Sequence, residues 1–100
     1  MPPRFAKKVD SNQPCIVKDL RSIPGVTVET DHDDIIVGFR GATYWYEIKS
    51  PSEVARSGKI RQSALKPSQK KLLRDFTGHY RVVWSLGQIL DDLGVTIVSP

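Results

Sequence analysis

Apolar and polar positions along the chain change their spacing several times, and each change marks an element. From Ser11 or Asn12, both suited to cap a helix, Pro14 stands in the first turn and Ile16, Val17, Leu20 and Ile23 share one helical face. Pro24-Gly25 stops that helix. Val26 to Glu29 has the β-branched character of a strand, and Asp34 to Phe39 and Ala42 to Lys49 follow as two more, joined by Arg40-Gly41 as a tight hairpin. Ser50 to Lys66 has no clear period, holds Pro51 and Gly58, and has the length of a functional loop. Pro67 opens a second helix whose face is Gln69, Leu72, Leu73 and Phe76, with Gly78 near its end. Tyr80 to Trp84 is a strand, Ser85 caps a short helix through Leu93, Gly94 ends it, and Val95 to Val98 suits a last edge strand. The order α-β-β-β-α-β-α, with that further β, predicts an α/β domain in which helices flank a mixed central sheet.

A chain of 100 residues builds one core, so a single domain is expected over 11–100, preceded by a basic, proline-containing arm over 1–10. Fifteen Lys and Arg against eleven Asp and Glu give a net charge of +4, which favours a polyanionic partner such as nucleic acid. Cys15 is the only cysteine, which excludes an intrachain disulfide and a cysteine zinc cluster, suits a reducing cytoplasm, and reads as a small core residue. The opening Met1 to Lys8 lacks the apolar stretch of a signal peptide and no apolar run is long enough to span a bilayer, so no membrane is expected among the partners.

The hairpin carries the chemistry. With a two-residue loop at Arg40-Gly41, Phe39 pairs with Ala42 and the numbers of every cross-strand pair add to 81, so Asp34 stands opposite Glu47. Side chains alternate along a strand, so Lys49 and Trp45 share the face of Glu47, while Tyr46 and Ile48 take the other. Like charges directly opposed in a ladder repel, and a divalent cation would offset that repulsion. Mg²⁺ uses one or two carboxylates and keeps water and phosphate in its other positions. The backbone carbonyl of Ile48 is a further candidate ligand, and the Lys49 ammonium can stabilise charge developing at phosphorus. The bland alternative is a solvated strand end with an ordinary exposed E-x-K.

Gln69 is a polar residue on an otherwise apolar helix face; it either reaches the site or bonds the loop at its own helix terminus. Arg56, Lys59 and Arg61 in the loop, with Lys66, Lys70 and Arg74 on the outer face of the second helix, are candidate phosphate contacts, each also readable as solvated surface. Lys71 lies beside them. Trp45 can flank the site or stack on a base, and Trp84 reads as core. His32 is expected as a turn residue, and His79 as a structural residue at a helix end.

Asp34-Ile35-Ile36-Val37-Gly38-Phe39-Arg40-Gly41, then Tyr46-Glu47-Ile48-Lys49, then Leu65-Lys66-Pro67-Ser68-Gln69, resembles the VRR-NUC group of PD-(D/E)XK nucleases, particularly its short standalone phage and bacterial members. The similarity runs from about Asn12 to Leu93. It implies a restriction-endonuclease-like fold and a nuclease dependent on Mg²⁺ or Mn²⁺. In that pattern Asp34 and Glu47 bind metal, Lys49 positions or activates water, and Gln69 supports the site. Relatives act on branched or flap-containing DNA, and the small members resemble Holliday-junction resolvases that work as homodimers. Two positions depart from the pattern: Asp33 stands where a proline often precedes the motif aspartate, and Lys66 replaces a capping threonine. The register selects Asp34 over Asp33. An acidic residue often sits on the first helix of such nucleases; here that neighbourhood offers Gln13, or Asp10 outside it. The competing readings are a nucleic-acid-binding or assembly protein that keeps this fold without hydrolysis, and an interaction module whose charged hairpin is incidental.

Overall fold

The elements are α1 (Gln13–Arg21), β1 (Thr27–Asp31), β2 (Asp34–Phe39), β3 (Ala42–Ile48), α2 (Pro67–Asp75), β4 (Tyr80–Val83) and α3 (Leu86–Leu93). They come from a computed structural model that describes residues 12–31 and 34–96. The expected arm over 1–10, His32 and Asp33 lie outside the described residues; of the expected last strand, Val95 and Thr96 have no regular structure and the rest lies outside. The strands stand in the order β1-β2-β3-β4, antiparallel except for the parallel pair β3 and β4. The chain is thus an α/β domain with a mixed sheet and three helices.

Parallel neighbours cannot be joined by a hairpin and need a crossover of a dozen or more residues. That requirement accounts for the long segment after β3. It is ordered by two short 3₁₀ turns, Pro51–Glu53 and Gln62–Ala64, and by a bridge between Val54 and Ile60. Leu65 then turns inward, 6% exposed, and the chain enters α2.

The two faces of the sheet differ. One face carries Ile35, Val37 and Phe39 of β2, Tyr46 and Ile48 of β3 and Val83 of β4, and packs with Ile16, Val17 and Leu20 of α1 and Ile89 and Leu93 of α3 as one core. The opposite face, toward α2, carries Asp34, Ile36, Trp45, Glu47, Tyr80 and Val82 by the register. This second face is only partly covered. Gln69 is the buried residue of α2, whereas Leu73 and Phe76 are 46% and 45% exposed. The expectation that Gln69, Leu72, Leu73 and Phe76 form one inward face is therefore corrected: the helix ends at Asp75, Phe76 leaves it in extended geometry, and nine residues give α2 too few turns to cover four strands. Two further residues differ from expectation. Cys15 is exposed, because it falls on the outer side of α1 between the inward positions 13 and 16, and Trp84 is half-buried at the end of β4, outside the core.

Asn12 stands at the start of α1, but its side chain makes no helix cap. Its amide donates to the carbonyl oxygens of Lys49 (3.2 Å) and Trp84 (3.1 Å), tying α1 to the ends of the two parallel strands. These bonds occupy two carbonyls beyond the last ladder residues of β3 and β4. Asn12→Ala is expected to lower stability by about 1–3 kcal/mol, seen as a lower urea midpoint with an unchanged slope. An unchanged midpoint would show that water serves both carbonyls equally well.

Candidate active site

The register of the hairpin sets the geometry. Arg40 and Gly41 have φ of +52° and +81°, the left-handed pair of a type I′ turn, with the Arg40 guanidinium 4.8 Å from the centre of the Phe39 ring. Phe39 pairs with Ala42, and five residues back Asp34 pairs with Glu47. Pairs in such a ladder alternate, which makes Asp34 and Glu47 a non-hydrogen-bonded pair, the class with the closer side chains.

Glu47 is 2% exposed, an unusual position for a carboxylate. The Lys49 ammonium lies 3.6 Å from its Oε2, an ion pair rather than a hydrogen bond. Asp34 is held differently: the Trp45 indole N–H donates to its Oδ2 at 3.0 Å. Trp45 is itself fixed edge-on by Phe76 (5.5 Å between ring centres) and by Tyr80 (4.9 Å). The repulsion expected between the opposed carboxylates is thus eased within the protein by an ammonium on one and an indole on the other. Trp45 is accordingly a positioning residue for Asp34.

Tyr80 belongs to the same group and is not identifiable from the sequence. It pairs with Trp45 across the parallel ladder and so lies diagonally beside Glu47. Its buried hydroxyl has no hydrogen-bond partner among the described residues. Burial first, then the negative charges of Glu47 and Asp34, hold that hydroxyl protonated well above the usual tyrosine range. A protonated donor facing two carboxylates without a partner is suited to an oxygen brought by a ligand. The signal in the sequence was Tyr80 at the head of a strand, but nothing there fixes how β4 is aligned on β3.

The remaining candidates divide. Gln69 is buried, and its side-chain oxygen accepts from the Lys66 backbone N–H at 2.9 Å, which is the helix-terminal role. The Ile48 side chain is wholly buried in the core on the far face, so only its backbone carbonyl can serve the site. Gln13 is buried at the start of α1. Arg56, Lys59, Arg61, Lys66, Lys70 and Arg74 are all exposed, and Arg74 pairs with its neighbour Asp75. His79 follows α2 in the loop before β4, exposed, with its ring against Tyr44.

Among the described residues no group of three or more His, Cys, Asp or Glu converges. A Zn²⁺ site of the closed structural kind, which takes four protein ligands, is therefore not formed by them. Two carboxylates and a backbone carbonyl suit a hard cation of the Mg²⁺ type, which retains water and binds phosphate. Trp45 holds Oδ2 of Asp34, and an outer hydrogen bond of this kind orients a carboxylate. Beside Asp34 a cleft of about 170 Å³ opens between Glu29, Thr30, Ile36 and Trp45.

Tyr80→Phe is expected to stabilise the metal-free protein by about 1 kcal/mol, because it removes a buried donor without a partner among the described residues. Thermal unfolding in EDTA measures this, and a destabilised variant would mean that the hydroxyl is already satisfied. The chain matches no protein-family model, no curated protein and no solved structure.

Proposed function

We propose that this protein is a divalent-metal-dependent nuclease with a restriction-endonuclease-like fold of the PD-(D/E)XK type. The observation that carries the reading is the pairing of Asp34 with Glu47 across the β2–β3 ladder, with Lys49 against Glu47, on the face of the sheet opposite the core. Asp34, Glu47 and the Ile48 carbonyl would hold Mg²⁺ or Mn²⁺. What such an ion supplies, when bound, is acidification of water and neutralisation of phosphate charge. Lys49 carries an ammonium at the mouth of the same site and stabilises the negative charge that grows on the phosphoryl oxygens. Trp45 keeps the Asp34 carboxylate turned to the site, and the Tyr80 hydroxyl offers a donor to an oxygen of phosphate or water. Gln69 supports α2 from its first turn.

The exposed Arg56, Lys59, Arg61, Lys66, Lys70 and Arg74 are suited to hold phosphates without reading sequence. DNA with a branch or flap is the proposed substrate, and a homodimer the working form, since paired symmetric cuts need two sites. A second reading is a nucleic-acid-binding or assembly protein without hydrolysis, for which the exposed Lys and Arg side chains alone would suffice.

Cleavage of labelled four-way junction, flap, single-stranded and duplex DNA in Mg²⁺, Mn²⁺ or EDTA tests the two. The nuclease reading expects cutting that EDTA abolishes and that Lys49→Ala slows by about 10²- to 10³-fold, with Glu47→Ala at least as impaired. Binding without cutting in every metal transfers the assignment to the second reading.

A further inference from the structure

We propose that the cavity beside the free edge of β4, on the α3 side of the sheet, binds one nucleotide of an unpaired strand, with the base against Tyr44 and His79 and the phosphate against Arg81. This goes beyond the hydrolytic reading and needs neither metal nor Glu47. The cavity measures about 430 Å³, within the roughly 300–1,000 Å³ typical of small-molecule sites. It lies across the sheet from the candidate active site, because Tyr44, Tyr46 and Arg81 alternate with Trp45, Glu47 and Tyr80.

Its walls supply the chemistry of a nucleotide. Tyr44 and Tyr46 stand parallel (4°) with ring centres 6.3 Å apart, and His79 leans on Tyr44 at 4.8 Å, so aromatic surface forms one side. Gly78 lets the loop run tight beneath Phe76, whose ring lies 2.7 Å from where a Cβ would stand, and so seats His79 at the rim. The other side is charged. Arg81 donates through one terminal nitrogen to Asp92 at 2.8 Å, and Tyr46, 1% exposed, donates its hydroxyl to the other Asp92 oxygen at 2.8 Å. The rest of the Arg81 guanidinium, on a side chain 45% exposed, has no partner among the described residues and can meet a phosphate.

Asp92 also sits against the field of its own helix, in the last turn of α3, where a carboxylate is disfavoured. Arg81 and Tyr46 offset that cost by bonding both of its oxygens. The pair fixes the guanidinium at the mouth of an aromatic cavity. The backbone adds an edge: the carbonyls of His79 and Val83 accept from β3, so Tyr80 between them turns its own N–H and C=O outward. A flat heterocycle with hydrogen-bonding edges and an attached phosphate matches stacking surface, open backbone and guanidinium together, and a purely apolar ligand matches only the first.

The test is fluorescence anisotropy of a labelled oligothymidylate in EDTA, where hydrolysis is off and failure of the nuclease reading leaves the result intact. His79→Ala and Tyr44→Leu are each expected to weaken binding by about 5- to 100-fold, and Tyr44→Phe by less than about twofold, since it keeps the stacking ring. The His79 ring protons of the wild type should shift upfield on binding. Competition by thymidine monophosphate would identify a free nucleotide as the occupant, and its failure to compete would identify a strand; both support the site. Should Tyr44→Leu not fold, His79→Ala alone decides, because that side chain is exposed. Equal affinity of wild type and His79→Ala with no movement of the His79 signals, or no binding of either ligand, overturns the proposal.

Discussion

The candidate active site depends on the alignment of β2 with β3 across a two-residue turn. Arg40 and Gly41 both take positive φ, which only a narrow set of hairpin turns requires, and that choice fixes every pair from Phe39–Ala42 back to Asp34–Glu47. A slip of one residue would move Glu47 and Lys49 into the apolar core and bring Tyr46 and Ile48 out to the α2 side. The core resists that slip. Ile35, Val37, Tyr46 and Ile48 are each at most 1% exposed, so the hydrophobic energy of the fold and the geometry of the charged face are set by one register.

The parallel pairing of β3 with β4 adds what the hairpin lacks. It brings Tyr80 beside Glu47 and, by the same alternation, puts Arg81 beside Tyr46 on the other face. One strand thus contributes to both places where polar groups are concentrated: a phenol among carboxylates toward α2, and a guanidinium locked to Asp92 toward α3. Asn12 joins the ends of the two strands through the Lys49 and Trp84 carbonyls, so the start of α1 braces the same end of the sheet that carries Lys49.

The sequence made the hairpin legible because turn length, β-branched alternation and residue numbering leave one register, and that register contains Asp34, Trp45, Glu47 and Lys49 as a group. The element order was legible for the same reason: Pro24-Gly25, Arg40-Gly41, Pro67 and Gly94 punctuate it. What depends on non-local packing was not. The alignment of β4 follows a crossover of about thirty residues, so Tyr80 had no assigned neighbour. The inward turn of Gln69 and the exposure of Leu73 and Phe76 follow from how far a short α2 reaches over the sheet, which periodicity does not give. The hydrophobicity of Cys15 favours the core, while its position on α1 faces outward. Asn12, like Ser11, has the residue type of a helix cap, but its amide bonds two strand carbonyls instead.

The proposed function stands on a cation site formed together by Asp34 and Glu47 beside Trp45. Mn²⁺ titration followed by NMR tests it directly, since the paramagnetic ion broadens signals near its position. The Trp45 indole N–H and the Glu47 amide are expected to broaden at the lowest Mn²⁺ concentrations, and Asp34→Asn in a folded protein is expected to remove the effect. Sharp Trp45 and Glu47 signals throughout the titration, or early broadening centred on another part of the chain, would contradict it.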